Sequence, residues 1–169
     1  LSTFLSVDKD NTDDAPEAFL SGVITDAQAR YNLANVFNPE TGKVAPAELA
    51  ALARLCSAAG VAPRVAQRLA DGWVAAQVGA EDAPLLPRSV RQLCWLGVDA
   101  ETVRQLAPYL VLLPARVPIN LNTASKEVIA AATGMDAADA ERLVQARQQT
   151  PFRNLADAKK HLPQAFVLN

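Results

Sequence analysis

The chain has 169 residues, half of them hydrophobic and 20% charged, and a formal net charge of −2. That length supports one or two domains with a real core, and the composition is globular rather than disordered. The slightly acidic balance gives no overall basic field to gather nucleic acid. Apolar runs such as Tyr109–Leu113, closed by Pro114, are too short to span a membrane.

The sequence begins at Leu1 with neither a Met nor a signal segment, so a fragment or processed form is expected. Residues 1–17 are acidic: Asp8, Asp10, Asp13, Asp14 and Glu17 stand against Lys9. One reading is a solvated loop. The other is a calcium loop in which Asp8, Asp10, Asp13 and Asp14 converge on a hard cation, although the central glycine and closing Glu of the twelve-residue calcium loop are missing. Next, Phe19, Leu20, Val23 and Ile24 are β-formers around Ser21-Gly22, with a turn at Thr25-Asp26. Ala29–Leu33 then runs back as a partner strand or opens a short helix, and a small strand pair is the favoured expectation. Asn38-Pro39-Glu40-Thr41-Gly42 is a turn cluster.

Helices dominate from Ala45 onward. Pro46 suits a first helical turn, with Glu48 near its positive end and Leu49, Leu52, Ala53, Leu55 and Cys56 on the apolar face. Gly60 closes this helix and Pro63 opens the next, whose core side is Val65, Ala66, Leu69, Trp73 and Val74. A linker follows from Gly79 to Pro87. Another helix carries Val90, Leu93, Cys94 and Trp95 to Gly97. Asp99 can cap its successor, burying Val103, Leu106 and Leu110. Pro114 and Pro118 bracket an extended link. Both tryptophans are expected in the core. Cys56 and Cys94 are expected as buried free thiols rather than a disulfide, and with His161 they make no zinc set.

The segment Val117–Leu162 reads as three helices. Asn122 or Thr123 can cap the first, whose face is Val128, Ile129 and Ala132. Gly134 ends it. Asp136 can cap the second, with Ala140, Leu143, Val144 and Arg147 following, and Asn154 can cap the third, supported by Asp157. A helix–glycine–helix unit thus occurs three times, with Gly60, Gly97 and Gly134 spaced 37 residues apart. Each unit is a hydrophobic hairpin unable to bury its faces alone, so the three are expected to stack.

No catalytic constellation is present. No hydroxyl nucleophile has a partner histidine, no phosphate loop exists, and His161 beside Lys159 and Lys160 reads as a surface residue. A non-enzyme is expected. The last hairpin resembles helix-hairpin-helix modules, including those of competence DNA-uptake proteins. Such modules bind phosphate through a Gly-apolar-Gly turn at a helix N-terminus. Here the turn is Gly134-Met135-Asp136, which puts a carboxylate beside the phosphate position. Six basic against five acidic side chains between Thr123 and Leu162 are poor material for counterion-release binding. A nucleic-acid-binding hairpin protein is therefore the alternative, not the main reading.

A wider resemblance rests on two motifs. Asp26, Gln28, Arg30, Tyr31, Asn32 and Leu33 fit a D-x-Q-x-R-[FY]-N-L pattern, with Ala29 where glycine is frequent. Pro118 through Ala124 fits P-[IV]-N-[LV]-N-T-A. In this order and separation they resemble minor pseudopilin K of type II secretion, over about residues 18–169. That resemblance implies an α+β, mostly α-helical protein: a helical domain of stacked helix-hairpin-helix-like units inserted in a pilin-like α/β body, of which only part is present. Residues 1–37 would belong to the pilin-like body and its leading segment, 38–163 to the inserted helical domain, and 164–169 to a returning strand begun by Ala165-Phe166-Val167-Leu168. It further implies a noncatalytic subunit at the periplasmic pseudopilus tip. Minor pseudopilins I and J would be its partners, an N-terminal helix outside this sequence would anchor it in the inner membrane, and calcium would be an associated ion.

Overall fold

The computed structural model describes residues 21–79 and 81–162. The acidic stretch with Asp8, Asp10, Asp13 and Asp14, and the strand expected at 165–168, lie outside the described residues.

Ser21–Asp26 carries no regular element, and Val23 and Ile24 stand 88% and 102% exposed. The favoured strand pair is not formed among the described residues. Asp26 instead caps a short 3-10 turn, Ala27–Ala29, by accepting a hydrogen bond from the Gln28 amide. The chain then enters β1 (Tyr31–Asn32), a buried 3-10 turn (Leu33–Val36) and β2 (Phe37–Asn38), which pairs antiparallel with β3 (Lys43–Val44) across the Asn38–Gly42 turn. The partner of β1 is distant in sequence: β4 (Leu110–Val111) lies parallel to it, Tyr31 opposite Leu110. Local β-propensity lost here to a long-range pairing that buries Tyr31 and Leu110 together.

Helix α1 (Pro46–Ala58) starts on Pro46 as its sequence requires, and α2 (Arg64–Val78) follows Pro63 and stops at a left-handed Gly79. Residues Val90–Leu96 form a 3-10 helix rather than an α-helix, opened by a capping box between Ser89 and Gln92. Asp99 caps α3 (Ala100–Leu106) through the Thr102 amide. An extended link then reaches α4 (Lys126–Thr133), α5 (Ala137–Gln149) and α6 (Leu155–Lys159). Asp136 caps α5 and Asn154 caps α6, as expected. The cap of α4 is Ser125, not Asn122 or Thr123, because both of those side chains are drawn into bonds with other parts of the chain.

The core joins the helices to Tyr31–Val36 and to Leu110. Leu33 and Val36 pack with Leu52, Leu55 and Cys56 of α1, Ala66, Leu69 and Trp73 of α2, and Val128 and Ile129 of α4. Corresponding positions after the three repeated glycines share one fate. Gly60, Gly97 and Gly134 have φ of 73°, 77° and 76°. Each is followed by a buried apolar residue (Val61, Val98, Met135) and, eight positions further on, by a fully buried leucine (Leu69, Leu106, Leu143). In space α1 makes its principal contacts with α2 and α4, while the 90–96 turn packs on α2. The first hairpin therefore lies between the other two. Trp95 departs from expectation: Leu93 and Leu96 take the core positions on that turn and leave the indole 44% exposed. Cys94 is exposed for the same reason, whereas Cys56 is buried.

Candidate functional site: two interlocked motifs

The two motifs are more than 80 residues apart in sequence and in contact in space. Asp26 Oδ2 accepts hydrogen bonds from Asn120 Nδ2 at 2.8 Å and Thr123 Oγ at 2.6 Å, and Oδ1 accepts from the Gln28 amide at 2.9 Å. These donors, the Thr123 hydroxyl first and the Gln28 amide next, hold the carboxyl below its usual range. Gln28 Nε2 donates to Pro118 O at 3.2 Å, and the Asn120 amide donates to Gln28 O at 2.9 Å. The result is a closed polar clasp between residues 26–28 and 118–123.

Three asparagines extend this attachment by presenting a side-chain amide where a strand would present a peptide group. Asn35 Oδ1 accepts from the Val117 amide at 3.1 Å while Nδ2 donates to Val117 O at 2.9 Å. Asn122 does the same with Phe152, at 2.8 Å in both directions. Asn32 accepts from the Leu113 amide at 3.0 Å and donates to Ala115 O at 2.8 Å. The two-bond exchange at Asn35 and Asn122 reproduces a hydrogen-bonded β-pair with side-chain atoms. It satisfies part-buried backbone groups of two irregular segments, at Val117 and Phe152, that have no sheet of their own.

Charged side chains complete the frame. The Tyr31 hydroxyl donates to Glu48 Oε2 at 2.8 Å, and burial, then the Glu48 charge, push that hydroxyl well above its ordinary pKa. Arg116 stands 3.7 Å from the other Glu48 oxygen. Arg147 Nη1 donates to Leu121 O and Ala124 O, both at 2.6 Å, and ties α5 to the second motif. From the first hairpin, Arg54 Nε donates to Ala131 O at 2.8 Å and Arg68 Nη1 to Gly97 O at 3.1 Å. Each places a cation at the negative end of a helical segment in one of the other hairpins.

Of the residues named by the two motifs, Asp26 and Gln28 are thus brought onto Pro118, Asn120 and Thr123, whereas Tyr31 bonds Glu48, Asn32 the 113–115 link and Asn122 Phe152. Arg30 lines an open cleft of about 720 Å³ together with Asp26 and Thr123 of the clasp and with Tyr109. Sequence reading did not single out Asn35, Glu48 as a Tyr31 partner, Arg54 or Arg116. Their bonds span 17 to 82 residues and leave no local pattern. At the Gly134-Met135-Asp136 turn, Met135 is buried and Asp136 occupies the amide at the start of α5, with Asp139 one turn inside and paired to Arg142. An incoming phosphate would meet two carboxylates there. Among the described residues no group of three His, Cys, Asp or Glu side chains could hold a metal ion, and no helix is long and apolar enough to cross a membrane.

Comparison with known proteins accords with this geometry. Two family models, both for protein K of the type II secretion system, match residues 29–115 and 119–167. They meet in the link that the asparagines fasten. The family that both models describe is a component of the type II secretion system. The chain belongs to the type II secretion system protein K family. The type II secretion system protein K of Pseudomonas aeruginosa is 32% identical over 163 residues, covering 83% of this chain and 48% of that protein. This chain therefore spans about half the length of that curated relative.

Proposed function

We propose that this chain is the helical domain of a noncatalytic minor pseudopilin that sits at the tip of the type II secretion pseudopilus and supports protein export across the outer membrane. The observation that carries the reading is the placement of the family motifs. The first stands where the chain enters the helical body. The second is fastened to it through Asp26 and, two residues later, to Phe152 near the start of α6 through Asn122. A single strap thereby holds both ends of the helical body, as a domain inserted into another body requires. The inserted domain is residues 38–163, with 1–37 supplying part of a pilin-like body and the entry segment, whose Tyr31, Leu33 and Val36 pack into the helical core, and 164–169 a returning strand. Its three helix–glycine–helix units are helix-hairpin-helix-like layers, and the common burial after Gly60, Gly97 and Gly134 supports that reading. The full protein is anchored in the inner membrane by an N-terminal helix and faces the periplasm.

The partners are minor pseudopilins I and J. The test is capture of both by tagged full-length protein K at micromolar concentration. Binding of neither overturns the reading. The nucleic-acid alternative has no support from the α5 terminus, and absence of a DNA mobility shift at low salt removes it. A calcium role for Asp8, Asp10, Asp13 and Asp14 is tested by calorimetry on the chain and on a variant with all four replaced by Asn. A calcium heat that survives the replacement places the ion elsewhere.

A further inference from the structure

We infer that Asp26 is the pin of a polar joint that fixes the direction in which the leading segment leaves the helical body, and so sets how the rest of protein K carries that body. This rests on the inserted-domain reading above. The Ala27–Ala29 turn buries no residue, and Val23 and Ile24 just before it are almost fully exposed. Apolar burial therefore does not hold residues 21–29 in place, so their path depends on polar bonds. Four such bonds reach the second motif: two into the Asp26 carboxylate, from Asn120 Nδ2 and the Thr123 hydroxyl, one from Gln28 Nε2 to Pro118 O and one from the Asn120 amide to Gln28 O; the Gln28 amide bond to Asp26 Oδ1 holds the turn itself.

The helical body has its own attachment from Tyr31 onward. Tyr31 is 2% exposed, its amide donates to Tyr109 O at 2.8 Å, and Asn32 and Asn35 fasten the link independently. The joint thus lies outside the core and acts on geometry, not on whether the body folds. A carboxylate suits this place because both oxygens are used, one towards the turn and one towards the second motif. Asp26→Asn keeps a single acceptor oxygen and has to give up one side. Thr123 contributes only its hydroxyl, so Thr123→Ser preserves the joint and Thr123→Val weakens it.

The experiment measures how tightly the leading segment is held against the helical body, and then the consequence. Spin labels are placed at Thr25→Cys and Lys159→Cys in a Cys94→Ser background of the 169-residue chain. A narrow distance distribution is expected in the parent and a broad one in Asp26→Ala, with cooperative unfolding retained in both. Full-length protein K carrying each change is then returned to the native host lacking its own copy. Secretion is expected to fall about tenfold or more with Asp26→Ala, the loss that matches about one charge-assisted hydrogen bond. Thr123→Ser should match the parent and Thr123→Val should fall between. A broad distribution in the parent, no broadening in Asp26→Ala, or broadening with parental secretion each overturns the joint. Normal secretion in the host lacking protein K altogether overturns the underlying functional reading instead. Should Asp26→Ala fail to fold, Thr123→Val against Thr123→Ser decides the same question.

Discussion

Asn35→Asp replaces one side-chain NH2 by oxygen and leaves the volume unchanged, so it isolates a single bond of the link. The amide of Val117 can only donate, which fixes Asn35 Oδ1 towards it, and Nδ2 donates to Val117 O at 2.9 Å. Ionised, the new carboxylate sets an oxygen against that carbonyl at a residue only 8% exposed. Losing a part-buried donor and opposing two acceptors costs about 3 kcal/mol. Protonated, the acid regains a donor and the deficit nearly vanishes. At about 1.36 kcal/mol per pKa unit, that cost raises the folded-state pKa by roughly 2 units, from about 3.9 to about 6. The sign follows from linkage: the folded state holds the proton more tightly. The variant is therefore nearly parental below about pH 4, loses stability as pH rises through about 6, and shows the full deficit at pH 7. Urea unfolding followed by circular dichroism at pH 4, 5, 6 and 7 measures this, with Asn35→Ala as the pH-independent control. A deficit equal at pH 4 and 7, or none at pH 7, refutes the side-chain bridge.

Further outcomes are expected elsewhere. Gly72→Ala, inside α2, gains about 1 kcal/mol of helix propensity. The new methyl would also sit 3.0 Å from Leu96 Cβ and 3.5 Å from its Cα, and such overpacking costs about 1–3 kcal/mol. A net loss near 1 kcal/mol in urea unfolding is expected, and a net gain would mean that the 90–96 turn yields freely. Arg147→Met preserves the stem but orphans Leu121 O and Ala124 O, and unfolding should show a loss of about 2–3 kcal/mol. No loss would mean that water replaces the guanidinium without cost. Burial pushes the Cys56 thiol up to about 11, so iodoacetamide at pH 8 should modify exposed Cys94 and spare Cys56 until the chain unfolds. Mass spectrometry of the digest reads the two sites separately, and equal labelling in the native state would contradict the packing around α1.

Local chemistry carried the sequence reading as far as it could. Asp99, Asp136 and Asn154 each announce a helix start because a cap bonds within three residues, and all three do so in the structure. The glycines at 60, 97 and 134 announce left-handed turns for the same local reason. Asn122 looks equally like a cap, yet it bonds Phe152, 30 residues away, and leaves the task to Ser125. Val23 and Ile24 look like a strand, but Asp26 turns the chain before a partner can form, and Tyr31 finds β4 instead. Trp95 looks like core because it is large and apolar, but the 3-10 geometry of 90–96 gives the inward positions to Leu93 and Leu96. The asparagine bridges are the part that sequence alone could not reveal. An amide signals a turn locally, and nothing local distinguishes that from a bond to a backbone 80 residues on.

The central position of the first hairpin bears on how the chain is made. During synthesis α1 and α2 emerge ahead of the other two hairpins, with Arg54 and Arg68 already in place to receive the ends of segments still to come. The nascent hairpin can keep its own contacts while it waits, but the α1–α4 face stays bare until some 70 further residues have followed, since Arg54 and its acceptor at Ala131 are 77 positions apart. Closure of that face, like the pairing of Tyr31 with Leu110, is expected to be slower than formation of any one helix, because its loop entropy is spent before the contact is made. A nascent chain halted between α2 and α4 would expose an apolar surface meant for a helix not yet synthesised, and would be more prone to aggregate than one halted after α5.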